Sequence, residues 1–98
     1  MRGLPLSNLG YYAFMNFIID VREPHEYSAG HVEGAINIPL STFSENNDLI
    51  KGLDKEQDLV LYCRSGNRSA MAINFLKSMG FKNLTNGINQ ERVIRDYM

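Results

Sequence analysis

The sequence predicts an α/β fold built on a mostly parallel sheet, and three observations carry that expectation. Short apolar runs alternate with helix-like segments along the whole chain. The runs are nearly continuous rather than alternating apolar and polar, the form of strands buried on both faces. Glycines stand where helices should stop.

The elements follow in order. Residues 16–21 (Asn16 to Val21) read as a strand, and residues 35–39 as a shorter one stopped by Pro39. Residues 58–62 form a third run, with Cys63 directly after it, and residues 81–85 a fourth. Between them, residues 24–29 suit a short helix opened by Pro24 and ended by Gly30. Residues 41–51 start with a capping residue, Ser41, and end before Gly52. Residues 68–79 place Ala72, Ile73, Leu76 and Met79 on one face, with Gly80 as the stop signal. Residues 89–97 give a weaker closing helix with Val93, Ile94 and Tyr97 on one side.

Length and composition bound the function. The 98 residues suffice for one compact domain, expected over 1–98, and are too few for two. The apolar share of 44% is ordinary for a globular chain. Ten Lys and Arg against 11 Asp and Glu, a net charge of -1, leave no basic stripe for nucleic acid. The apolar run from Leu9 to Ile19 is broken by Gly10 and Asn16 and is too short to span a membrane. It lacks a cleavage site and a basic start beyond Arg2, so a cytoplasmic protein is expected.

A single cysteine excludes an internal disulfide and a zinc site built mainly on thiolates. Free cysteine is most often a small buried hydrophobe. The neighbours of Cys63 argue for more. Cys63-Arg64-Ser65-Gly66-Asn67-Arg68-Ser69 joins a buried strand to an amphipathic helix. Gly66 can take a positive φ, letting loop N–H groups converge on one centre at a helix N-terminus. Such a cradle favours a thiolate, the reactive form of cysteine, whose unperturbed pKa is about 8.5. Ionisation at neutral pH needs roughly 2.7 kcal/mol, two units at 1.36 each. A helix dipole supplies about 0.3–1 kcal/mol, at most about 2. Loop amides and the charges of Arg64 and Arg68 are therefore expected to supply the rest. In parallel sheets ligands bind beyond the strands' carboxyl ends, which also singles out Asp20-Val21-Arg22.

Two blocks make the chain resemble the rhodanese family. One runs from Ile19 to Tyr27 and on through Gly30-His31-Val32-Glu33-Gly34-Ala35 to Pro39. The other is Tyr62 to Ser69, continuing to Leu76, Gly80 and Phe81. The resemblance implies a sheet of about five parallel strands flanked by helices on both faces, here with a shortened N-terminal edge. It implies sulfur transfer through a Cys63 persulfide, from a small anionic donor such as thiosulfate to cyanide or a thiol. It assigns Cys63 as catalytic and Arg64, Ser65, Gly66, Asn67, Arg68 and Ser69 as substrate-binding. Asp20 and Arg22 would support the loop, or serve only a structural ion-pair network with Glu23 or Glu26. No cofactor or metal is implied. The acceptor would be a small thiol or a thioredoxin-like protein, and the chain a monomer or homodimer. The family's paired glycines and nearby tryptophan are replaced here by Asn86-Gly87-Ile88 with no tryptophan.

Two other readings stand beside the enzyme. One is a non-enzymatic persulfide carrier or regulatory module serving a partner protein. The other is a phosphatase of the same fold, whose loop carries one more residue, Cys-x5-Arg; here the spacing is Cys-x4-Arg and Ser69 holds the phosphatase arginine's place. His25 and His31, six apart, do not share a helix face and suggest no metal pair; His31 resembles the family's structural turn. Tyr11, Tyr12, Phe14 and Phe17 are read as core or edge cover rather than a docking patch, and the five methionines as core filler.

Overall fold

The computed structural model describes residues 17–98. Expectations for Tyr11, Tyr12, Phe14 and the chain before the first strand fall outside the described residues.

Among the described residues, four strands form one parallel sheet: β1 (Phe17–Asp20), β2 (Ile36–Asn37), β3 (Leu59–Tyr62) and β4 (Leu84–Ile88). Their order is β2-β1-β3-β4. β1 and β3 pair in register from Phe17–Leu59 to Asp20–Tyr62. The helices are α1 (Pro24–Ala29), α2 (Asp48–Lys51), α3 (Asn67–Ser78) and α4 (Gln90–Tyr97).

The continuous apolar runs are explained by burial on both faces of the sheet. Ile19, Leu59 and Leu61 pack on one face with Ala72, Ile73 and Leu76 of α3 and with Ile50 of α2. Ile18, Val60 and Tyr62 alternate to the other face, against Val93 of α4 and Tyr27 of α1. Met79 is partly buried against the first cluster, as expected, whereas Ile94 of α4 is 53% exposed. Phe17, expected as core or edge cover, is 36% exposed.

Two boundaries differ from expectation. The fourth strand begins at Leu84 instead of Phe81. Phe81 is used twice otherwise: its N–H bonds the Leu76 carbonyl while Gly80, at φ 96°, bonds that of Lys77, a Schellman stop for α3. Its ring is buried in the core. The single helix expected over 41–51 is a 3-10 turn (Leu40–Thr42) followed by α2. Asn47 breaks it, its side chain accepting from Ile50 N–H at 3.0 Å as the cap of α2.

Gly87 lies at a bulge where Leu61 pairs Asn86 and Tyr62 pairs Ile88. A Cβ there would stand 2.6 Å from Val93 Cγ2 and 2.9 Å from Val60 Cγ1. Gly87→Ala should therefore push α4 off the sheet and destabilise by about 1–3 kcal/mol. A urea titration checks this; an unchanged midpoint would mean that α4 yields freely.

Candidate active site

β3 ends in the sheet's centre, and the chain leaves it at Cys63, whose N–H is held by the Ile88 carbonyl at 3.1 Å. Gly66 adopts φ 91° and ψ −8°, the left-handed conformation foreseen for it, and caps α3. This turns the Gly66 N–H onto Cys63 Sγ at 3.1 Å. The Ser69 hydroxyl, wholly buried, lies 3.6 Å from the sulfur.

Burial alone pushes the Cys63 thiol up. The Ser69 hydroxyl and the backbone N–H groups of Ser69, Ser65 and Gly66 outweigh it and bring the thiol down to about 7. Loop amides, expected to share this role with the charges of Arg64 and Arg68, thus lead the effect together with one hydroxyl. Cys63 is 2% exposed. It is reached through an open pocket of about 230 Å³ lined by Arg22, Cys63, Arg64, Asn89, Gln90 and Glu91. At roughly 30 Å³ per water, that volume admits a small anion.

The two loop arginines part company. Arg64 is exposed and lines the pocket. Arg68 turns away into a bidentate pair with Glu26, Nη1–Oε1 2.7 Å and Nη2–Oε2 3.0 Å. That pair, with the Glu23 N–H, drives the Glu26 carboxyl down to about 2. The Arg68 charge is still felt by Cys63, but its fork is occupied by α1, and it is absent from the pocket lining. Ser65 contributes through its backbone; Asn67 is exposed at the first position of α3.

Arg22 takes the position expected of Arg68. It lines the pocket, although only 6% exposed. Its ion-pair partner is Asp20, rather than the Glu23 or Glu26 considered from sequence. Nη2 lies 2.6 Å from Asp20 Oδ2 and Nε 2.9 Å from Oδ1, and Nη2 also donates to the Gly30 carbonyl at 2.7 Å. Tyr62 Oη donates to Asp20 at 2.8 Å and accepts from Val32 N–H at 3.1 Å. Burial, foremost, pushes the Tyr62 phenol up to about 12, so it stays neutral. His31 stacks on the Tyr27 ring and donates from Nδ1 to the Tyr27 carbonyl at 2.8 Å, part of a turn.

Sequence reasoning passed over Asn86 and Ile88. Asn86 touches both Ser69 and Gly66. Ile88 holds Cys63 N–H while itself at φ 75°, a rare conformation for a branched residue. An Asn89 N–H bond to the Gly87 carbonyl at 2.9 Å closes a γ-turn around it. The signal available for Asn86 was its place where the resembled family carries glycine.

A parallel sheet with a cysteine in an amide-lined loop at its carboxyl edge, its thiol brought down to about 7, defines an α/β protein with a thiol disposed to ionise. A family model, the Rhodanese-like domain, matches residues 7–90. The chain belongs to that family. It superposes on a structure described as rhodanese with anions from E. coli at a TM-score of 0.68. The two are 33% identical over 79% of this chain and 89% of that one. A rhodanese-related protein from Thermoplasma volcanium is 30% identical, covers 100% of this chain and 96% of its own, and gives a TM-score of 0.67. A Schizosaccharomyces pombe protein provisionally named a mitochondrial thiosulfate sulfurtransferase is 38% identical over 79 residues, 70% of this chain and 56% of that protein. A tRNA uridine(34) hydroxylase from Yersinia enterocolitica is 38% identical over 92 residues, 80% of this chain and 26% of the hydroxylase. The chain thus spans about a quarter to a half of these curated relatives. Among the described residues, no helix is long and apolar enough to cross a membrane.

Proposed function

We propose that this chain transfers sulfane sulfur from a small anionic donor such as thiosulfate to a thiol or cyanide through a persulfide on Cys63. The observation that carries the reading is Cys63 Sγ, lowered to about 7 and bonded to Gly66 N–H at 3.1 Å, at the base of a pocket lined by Arg22 and Arg64. Family membership and the name of the S. pombe relative support it.

The chemistry is displacement at sulfur. The Cys63 thiolate attacks the outer sulfur of thiosulfate; the donor's S–S bond breaks and sulfite leaves with the electron pair. An acceptor thiolate then attacks that outer sulfur, and Cys63 leaves as thiolate. In both steps the negative charge on Sγ faces the Gly66 amide and the Ser69 hydroxyl. Arg22 and Arg64 supply positive charge to the donor's sulfonate end. The site needs no cofactor or metal for this sequence. A thioredoxin-like protein fits the acceptor role as well as a small thiol does.

Mass spectrometry of the intact chain after thiosulfate treatment tests the reading. One added sulfur atom on Cys63, removed by cyanide, is expected; a chain that stays unmodified while Cys63 remains alkylatable would end the proposal.

A second reading is a persulfide carrier or regulatory module serving a partner protein; the likeness of this chain to about a quarter of a longer tRNA uridine(34) hydroxylase supports its use as a module. Slow turnover of thiosulfate beside fast transfer to a thiol protein would select it. A phosphatase is disfavoured, because Arg68 is committed to Glu26 and Ser69 is buried.

A further inference from the structure

The Ser69 hydroxyl has one proton and more than one claimant. It lies 2.7 Å from Asn86 Oδ1, 3.2 Å from the Gly66 carbonyl and 3.6 Å from Cys63 Sγ. The orientation of the Asn86 amide is fixed by two further groups. Ile88 N–H, which can only donate, meets Oδ1 at 3.0 Å. The Gly66 carbonyl, which can only accept, meets Nδ2 at 3.0 Å. The Asn86 atom facing Ser69 is therefore an acceptor, and the short contact requires Ser69 to donate to it. The Ser69 oxygen then turns lone pairs toward Cys63, an arrangement suited to a neutral sulfur. An anionic sulfur needs the proton turned the other way.

We propose that Asn86 is a positioning residue for the reacting sulfur: it gives the Ser69 hydroxyl a nearer acceptor than the Gly66 carbonyl, so the hydroxyl donates to Asn86 when Sγ is neutral and to Sγ when it is anionic. No proton is transferred; one O–H bond rotates. Asn86 Oδ1 keeps the Ile88 N–H throughout, so neither orientation strands a buried polar atom. In the transfer cycle proposed above, on which this inference rests for its use, Sγ is anionic before attack and again when the acceptor takes the sulfur. Between those steps Sγ is the neutral inner sulfur of the persulfide. The hydroxyl therefore follows the charge on Cys63, with Asn86 as its resting position.

The test is the pH dependence of Cys63 alkylation by iodoacetamide in the full chain, which the single cysteine makes unambiguous. Asn86→Ala removes the nearest competing acceptor, at 2.7 Å, and leaves only the longer 3.2 Å contact to the Gly66 carbonyl to compete with the sulfur. The midpoint should fall by roughly half to one pH unit, the scale of one neutral hydrogen bond. In a Ser69→Ala background the same substitution should leave the midpoint unmoved. Asn86→Asp places a stronger acceptor and a negative charge beside Ser69 and should raise the midpoint, which keeps the test open if Asn86→Ala does not fold. A merely structural Asn86 predicts the reverse for alanine, since loosening the Gly66 loop raises the midpoint whether or not Ser69 is present. A raised or unchanged midpoint in Asn86→Ala, an equal shift in both backgrounds, or no rise in Asn86→Asp overturns the proposal. Alkylation reads charge and not turnover, so these outcomes are independent of whether Cys63 takes up sulfur.

Discussion

Cys63→Ser should abolish sulfur transfer while leaving the fold in place. A hydroxyl stays protonated at neutral pH, and a hard oxygen is a poor partner for displacement at sulfur; the thiolate is the competent form. The smaller Oγ can still accept from Gly66 N–H, so loop and core should persist. Thiosulfate:cyanide transfer should drop to the uncatalysed level, with the circular dichroism spectrum and unfolding midpoint close to wild type. Wild-type activity should carry the same signature in its pH profile. With the thiol at about 7, the reactive fraction is half at neutrality. It falls about tenfold per pH unit below and levels off above. The fold feels the same titration. The thiol's folded value lies below its unperturbed value of about 8.5 to 9, so its contribution to stability is complete above about pH 9 and is lost as pH falls through about 7. Transfer by the serine variant at wild-type rate would remove Cys63 from the mechanism.

The largest loss of stability is expected from Asp20→Ala. Asp20 is wholly buried and accepts from Arg22 N–H, Nε and Nη2 and from Tyr62 Oη. Alanine would leave a buried guanidinium without its counter-ion and a phenol without its acceptor. Breaking a buried pair from one side costs about 3–5 kcal/mol, a large part of the 5–15 kcal/mol typical of a whole domain. With a urea slope of about 2 kcal/mol/M, the midpoint should fall by about 2 M at constant slope. The damage should extend to the pocket, because the freed Arg22 would no longer be held beside Cys63. A midpoint within a few tenths of molar of wild type would show that water or another group satisfies Arg22.

Local signals made much of this molecule legible in its sequence. Pro24 with Gly30 bounded α1 to the residue, and Gly80 marked the end of α3. Both-face burial was written in the runs 18–20 and 59–62, because each side chain meets a covered face. The Cys63 loop was legible for a similar reason: Gly66 must supply the positive φ that brings N–H groups onto the sulfur. What escaped depends on distant partners or on how the chain bends locally. Arg68 looked free to hold an anion until folding brought Glu26 of α1 beside it, 42 positions away. Arg22 looked paired with its acidic neighbours in sequence, whereas the bend after β1 folds it back onto Asp20. Asn86 registered only as a missing glycine, since its bonds to Ser69 and Gly66 cross 17 and 20 residues. Phe81 has strand-like neighbours, yet the stop of α3 and the core had already claimed it.

The γ-turn at Ile88 has a consequence for how this site can vary. A methyl group added at Gly66 would sit 3.0 Å from Ile88 Cδ1, so the two positions share one small volume. Substitutions at 66 and 88 should therefore show strong epistasis in a combinatorial library. A larger residue at 66 meets two penalties, the left-handed φ of 91° and the Ile88 side chain; trimming 88 relieves only the second, and trimming 88 alone opens a void behind the nucleophile's loop.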